Sequence, residues 1–175
     1  GNGDQSGHVR VYRWDSASSN WIQLGSDIDG EAAEDYSGMS VSLNSDGDIL
    51  AIGAPRNDGN GNPPGQVRVY QWDSARANWI QMGSDIDGVM ADDWSGHSVS
   101  LNASGEILAI VARYNDGNVI SSGHVRVYQW DSASSDWIQM GSDIDGEADG
   151  DASGHSVSLS ADGSILAIGA PGNDG

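Results

Sequence analysis

Short stretches of alternating apolar and polar residues recur along the whole chain, and no window carries a helical period with caps. Val9-Arg10-Val11-Tyr12-Arg13-Trp14 alternates strictly and is rich in β-branched and aromatic residues, which fits a strand. A Ser-rich link over 15–20 leads to a second segment, Trp21-Ile22-Gln23-Leu24, and an acidic connection over 25–35 follows. Ser40-Val41-Ser42-Leu43 again has period two, and Asp46-Gly47 marks a hairpin turn because Gly tolerates positive φ. The fourth segment, Ile49 to Pro55, ends where proline has no N–H to give to a ladder. The pattern predicts an all-β chain.

The same pattern occurs three times. The string Gly-x-Val-Arg-Val-Tyr-x-Trp-Asp-Ser begins at Gly7, Gly65 and Gly123, each 58 residues after the last. This gives repeats over 7–64, 65–122 and 123–175 plus 1–6, in one continuous repeat domain. Four short strands per repeat, twelve in all, match the unit of a β-propeller blade. The expected architecture is three four-stranded antiparallel repeats of blade type, part of a closed propeller or of an open repeat assembly. Such a sheet is apolar on both faces and must stack on neighbours to be stable. Trp14, Trp72 and Trp130 are expected between sheets, and Trp21, Trp79 and Trp137 against the Ser-rich links.

Composition narrows the function classes. The 175 residues carry 7 Arg and no Lys against 26 Asp plus Glu, a net charge of −19. That balance excludes nucleic-acid partners, which need phosphate-neutralising side chains, and disfavours an anionic membrane surface. No apolar run reaches the roughly 18 residues of a membrane-spanning helix. Zero Cys removes disulfides and thiolate chemistry. High charge with abundant Gly and Ser can signal disorder, but seven Trp, five Tyr and regularly recurring Val, Ile and Leu argue for a packed fold. With neither an initiator Met nor a signal-like leader, Gly1 reads as an internal or processed start.

The strings Ser37-Gly38-Met39-Ser40-Val41-Ser42-Leu43 and Ile49-Leu50-Ala51-Ile52-Gly53-Ala54-Pro55 resemble the FG-GAP repeat of integrin alpha-type β-propellers, in a divergent branch. Ser95 to Ser100, Ser153 to Ser158 and Gly169-Ala170-Pro171 carry the motif onward, whereas Val111-Ala112-Arg113 departs from it. The resemblance implies a propeller fold, extracellular adhesion or scaffolding, and calcium. The family's metal loop is not matched, since Asn44 to Asp48 and Asn102 to Glu106 hold too few oxygens for a cation wanting six to eight.

Carboxylates gather instead in the acidic connections: Asp27, Asp29, Glu31 and Asp35; Asp85, Asp87 and Asp93; Asp143, Asp145, Glu147 and Asp151. Alternating acids around a Gly suit a hard cation such as calcium, and equally suit a solvated loop in which Asp caps turns. Asn57-Asp58-Gly59, Asn115-Asp116-Gly117 and Asn173-Asp174-Gly175 read as turns. His97, His124 and His155 lie near Ser and Asp, but the repetition of Gly-His-Ser and the missing Gly-x-Ser-x-Gly speak against a hydrolase. Trp94, matched by Tyr36 and Ala152, is the expected contact residue, and Asn102 heads the single N-glycosylation sequon. Arg10, Arg68 and Arg126 are expected to pair with the acidic loops. Together these residues predict a non-catalytic extracellular or cell-surface module, structural or adhesive, that stacks into a filament or larger propeller. The alternative is a carbohydrate- or protein-binding propeller using loop-tip aromatics. Expected partners are further copies of the repeat and glycans or extracellular proteins, without nucleic acid or membrane insertion.

Overall fold

The computed structural model describes residues 2–57, 64–114 and 122–174, and the regular structure within them is all β-strand. In chain order the strands are β1 (His8–Val9), β2 (Tyr12–Asp15), β3 (Asn20–Gln23), β4 (Ile28–Asp29), β5 (Ser40–Leu43), β6 (Ile49–Ala54), β7 (Gln66–Asp73), β8 (Asn78–Gln81) and β9 (Ile86–Asp87). They continue as β10 (Ser95–Leu101), β11 (Ile107–Ala112), β12 (His124–Asp131), β13 (Asp136–Gln139), β14 (Ile144–Asp145), β15 (Ser156–Leu159) and β16 (Leu166–Gly169). The four segments read from each repeat are present, and the acidic connections add β4, β9 and β14. There Ile28 and Ile86 are buried while pairing with Val9 and Val67, so an isoleucine among carboxylates extends the sheet.

The two larger sheets each span two sequence repeats. One sheet runs β5-β6-β7-β8 with β9 on β7, and another runs β10-β11-β12-β13 with β14 on β12. Each joins the last two segments of one 58-residue stretch to the first two of the next. The joining ladders are antiparallel and long, from Ile49↔Gln71 to Ala54↔Gln66 and from Ile107↔Gln129 to Ala112↔His124. The remaining strands form two-stranded sheets, β1-β4, β2-β3 and β15-β16. Residues 9–14, read as one strand, are interrupted between β1 and β2, whereas β7 and β12 are continuous. The difference is the partner: β7 and β12 have β6 and β11 alongside, and among the described residues β1 and β2 have no equivalent strand.

Alternation places apolar residues on both faces of each sheet. Ile49, Ala51, Val67 and Val69 pack on Val99, Leu101, Leu108, Ile110 and Trp137, while Leu50, Ile52 and Tyr70 pack on Val9, Val11 and Ile28. A third cluster sets Ala109, Val111 and Val125 against Val157, Leu159 and Ile168. Between sheets Trp79 and Trp137 join Trp72 and Trp130, which pack against Gly25 and Gly83 of the neighbouring sheet as expected; the expectation of Trp79 and Trp137 against the Ser-rich links is what the structure corrects. Trp79 is 5 % exposed and donates its indole N–H to Leu24 O at 3.0 Å, and Trp137 does the same to Met82 O at 3.0 Å. Each stands edge-on to its strand partner, Trp72 or Trp130, at 5.5 Å between ring centroids. Gly83 permits the approach: its φ is +80°, and a Cβ there would lie 2.9 Å from the Trp130 ring.

Two measurements check this core. Leu108→Ala, at a fully buried position, should lower stability by about 2–5 kcal/mol in urea unfolding, and Ile138→Ala, 52 % exposed, should stay within about 0.5 kcal/mol. His124 is buried on β12, and desolvation, reinforced by the nearby Arg126 charge, holds its pKa below 6.5 against the opposing pull of Asp143, Asp93 and Asp145. The unfolded chain therefore takes up this proton first. Its contribution to stability is complete above pH 6.5 and is lost as pH falls from there toward the folded value. Thermal melting followed from about pH 8 to about pH 5 should show that decline, shallower in His124→Gln.

Candidate functional site

The acidic connections are held by separate partners. Asp27 accepts from Arg10 Nη2 at 2.8 Å and Gln23 Nε2 at 2.7 Å. Asp143 takes Arg126 and Gln139, and the Arg126 hydrogen bond brings its pKa down to about 2. Asp85 takes Gln66 and Gln81, and Glu31 takes Arg68 and Asn57. Asp29, Asp87 and Asp145 lie opposite His8, Gln66 and His124 in two-residue ladders, and Glu147 is exposed. Among the described residues no three His, Asp or Glu side chains converge as a metal site. This donor set does not fit a calcium ion seeking six to eight oxygens.

Asp35, Asp93 and Asp151 have a different role. All three are buried, at 1 %, 2 % and 3 % exposure. Asp35 Oδ2 accepts from Ala32 N at 2.8 Å and Asn57 Nδ2 at 3.2 Å, Asp93 Oδ2 from Met90 N at 2.9 Å, and Asp151 Oδ2 from Ala148 N at 2.8 Å and Asn173 Nδ2 at 3.0 Å. Each carboxylate ties down a loop whose next residue is left-handed: Tyr36 at φ +56°, Trp94 at +56° and Ala152 at +50°. Holding an aromatic residue in that region costs on the order of 1–3 kcal/mol, which the buried carboxylate network offsets.

The strained loops present their side chains beside the edge strands β5, β10 and β15. These strands lie side by side, with Leu101 N donating to Ser42 Oγ and Leu159 N to Ser100 Oγ, both at 3.0 Å. Along this rim the Arg56 guanidinium lies 5.0 Å from the Tyr36 ring and 4.8 Å from the Trp94 ring. Trp94 meets Tyr114 edge-on at 4.8 Å, Arg113 lies 5.2 Å from the Tyr114 ring, and the His97 and His155 rings are 5.9 Å apart. Burial first, then the Arg113 and His155 charges, lower the His97 pKa, which keeps the imidazole neutral at pH 7. His97 Nδ1 and Arg113 Nε are buried without a hydrogen-bond partner. Arg56 and Arg113 make no salt bridge among the described residues, whereas Arg10, Arg68, Arg76 and Arg126 each hold a carboxylate. A hollow of about 300 Å³ lined by Gln5, Tyr36 and Met39 opens at the Tyr36 end.

Trp94, the expected contact residue, is half-buried and lies in this cluster. Arg56, Arg113 and Tyr114 were missed, although a comparison of copies marks them. Position 113 is matched by Pro55 and Pro171, position 114 by Arg56 and Gly172, and position 97 by Met39 and His155. The sequon expectation is corrected. Asn102 is buried, its Oδ1 accepts from Glu106 N and Ile107 N, and its Nδ2 donates to Ser104 Oγ, so the amide closes the hairpin and is not free to carry a glycan. Asp58, Gly59, Asn115, Asp116, Gly117 and Gly175 of the expected turns lie outside the described residues.

No family model and no curated protein matches the chain. The FG-GAP resemblance therefore rests on its motifs alone, and a β-propeller-like fold is what the solved structures support. A protein from Bacteroides uniformis provisionally named 6-phosphogluconolactonase aligns at TM-score 0.62 and 10 % identity, over 92 % of this chain and 40 % of its own. A second, of the same provisional name, from Bacteroides fragilis, aligns at 0.56 and 14 %, over 82 % of this chain and 35 % of its own. The periplasmic gluconolactonase of Pseudomonas aeruginosa aligns at 0.52 and 19 %, over 91 % of this chain and 42 % of its own. The chain thus spans about two fifths of these proteins. Their names, all lactonases, overturn the expectation of a non-catalytic structural or adhesive module and the expectation that the chain is no enzyme.

Proposed function

We propose that the chain is part of a carbohydrate-processing propeller that hydrolyses a sugar lactone, built from blade-type repeats, with the Arg56–Tyr36–Trp94–Tyr114–Arg113–His97–His155 rim as its site. The observation that carries this is positional. In three near-identical copies, the residues that break the repeat at positions 36/94/152, 39/97/155, 55/113/171 and 56/114/172 gather at one rim. The copies also differ in the Ser-rich links, the acidic connections and the hairpin tips, but at the rim the changes bring in cationic and aromatic side chains that touch one another, and that combination fits a ligand site. The lactonase names of the similar structures supply the substrate class.

The chemistry suits that class. A sugar ring has C–H faces that stack on aromatic rings, and Trp94 and Tyr114 offer such faces. Arg113 and Arg56 favour carboxylate or phosphate oxygens, in a chain otherwise strongly acidic. In the step proposed, neutral His97 takes a proton from water while the water oxygen attacks the lactone carbonyl carbon. The ring C–O bond breaks, the ring oxygen receives a proton relayed through the histidine pair, and the open hydroxy acid leaves. Arg113 stabilises the negative charge that develops on the carbonyl oxygen.

Glucono-1,5-lactone and its 6-phosphate serve as probes, with hydrolysis followed against the spontaneous rate. The chain should exceed background, His97→Gln and Arg113→Gln should each reduce kcat about a hundredfold or more for both probes, and Arg56→Gln should raise KM about tenfold for the phosphorylated probe. Because the His97 pKa is depressed, the rate should hold as pH falls to 6.5 and decline only below it. Background-level hydrolysis of both probes by a folded chain, or full activity in His97→Gln, overturns the reading.

A further inference from the structure

We propose that the open edge of β16 and the open edges of β1 and β2 are complementary, and that a second copy of this chain covers them by strand pairing. The complement is defined by the two complete sheets. In the β6–β7 and β11–β12 ladders the partners are Leu50↔Tyr70 and Leu108↔Tyr128, Ala51↔Val69 and Ala109↔Val127, and Ile52↔Arg68 and Ile110↔Arg126. Advancing the same register by one repeat sets Leu166, Ala167, Ile168 and Gly169 opposite Tyr12, Val11, Arg10 and Val9 of another copy. Because Trp72 N donates to Asp48 O, alternation turns the backbone groups of residues 50 and 52 toward β7, and hence those of Leu166 and Ile168 toward the open side.

Exposure marks the same surface. Tyr12 is 46 % exposed and its equivalent Tyr70 is 8 %; Trp21 is 60 % and Trp79 is 5 %; Ile165 is 69 % and Ile49 is 6 %; Leu43 is 47 % and Leu101 is 7 %. Each exposed residue has a buried counterpart wherever the neighbouring sheet is present. The specific contacts between sheets transfer as well. Trp79 donates to Leu24 O and Trp137 to Met82 O, so Trp21 of the second copy is set to donate to Met140 O. Asn78 and Asp136 accept from Ser26 N and Ser84 N, and Asn20 is then placed for Ser142 N. The Arg68–Glu31 ion pair recurs as Arg10 with Glu147, although its middle equivalent has Val89 in place of the acid. One repeat-to-repeat relation satisfies ladder, indole, turn and ion pair together, and reciprocal pairing of two copies gives a ring of six sheets.

The chain has no cysteine, so engineered pairs report register directly. Val11 and Ala167 occupy a facing, non-hydrogen-bonded position, the geometry that brings Cβ atoms about 4.5–5.5 Å apart. In the intact chain, Val11→Cys with Ala167→Cys should oxidise to a covalent pair on a non-reducing gel, and Val9→Cys with Ala167→Cys, two residues out of register, should not. Light scattering of the unmodified chain should give twice 18.2 kDa, and Trp21→Ala should shift that mass to 18.2 kDa while far-ultraviolet circular dichroism stays unchanged. A monomeric unmodified chain, a disulfide closed within one chain, equal crosslinking in both pairs, or masses beyond the pair would each overturn the proposal. None of these readouts depends on lactone turnover.

Discussion

A ladder of six residue pairs between β6 and β7, repeated between β11 and β12, is the interaction on which the other features depend. It joins segments that belong to different copies of the repeat, so no 58-residue stretch owns a complete sheet. This pairing puts Leu50 and Ile52 on one face and Ala51 on the other, each against a different neighbour. A sheet buried on both faces derives most of its stability from stacking, as in repeat proteins whose units are stabilised by their neighbours. The Trp79 and Trp137 indoles then fix the distance between outer strands, since each must reach one carbonyl on the next sheet.

Repetition also constrains where function can arise. A substitution in the ladder or at an indole anchor disturbs a contact that every copy needs. The rim beside β5, β10 and β15 is different, because its loops are organised by Asp35, Asp93 and Asp151 through bonds to backbone and Asn side chains. With the loop held from beneath, the following residue is free to be Tyr36, Trp94 or Ala152 without loss of the loop. The buried carboxylate therefore separates the scaffold from the residues it displays. That separation explains how an otherwise regular chain acquires an asymmetric group of two arginines, three aromatic rings and two histidines.

Much of this was legible in the sequence. Alternation gave the four main strands, and the identity of the copies gave the period. The phase of the sheets was not legible, because periodicity reports that segments recur and is silent on which copies pair. The inter-sheet role of Trp79 and Trp137 was hidden for a similar reason: the carbonyl each indole reaches, on Leu24 or Met82, belongs to another copy. The acidic connections misled most. Asp and Glu around a Gly look alike whether they bind a cation, pair with Arg10 or Arg126, or cap a strained loop, and the choice depends on donors distant in sequence such as Asn57, 22 residues from Asp35. The rim itself left a trace, in Trp94 and in Arg113 standing where the other copies have proline.

The charge of −19 fits this division. Among the described residues four of the seven arginines are matched to carboxylates, Arg10, Arg68 and Arg126 to acidic connections and Arg76 to Asp73. The excess negative charge is dispersed over connections that have water on one side, where self-repulsion is screened. Against that background Arg56 and Arg113 are held over aromatic rings and make no salt bridge among the described residues. In the lactonase reading proposed above, an anionic ligand meets a mostly repulsive surface and is held by these two guanidinium groups at the rim. Selectivity of this kind needs no deep pocket, because the surrounding field already disfavours every other landing place.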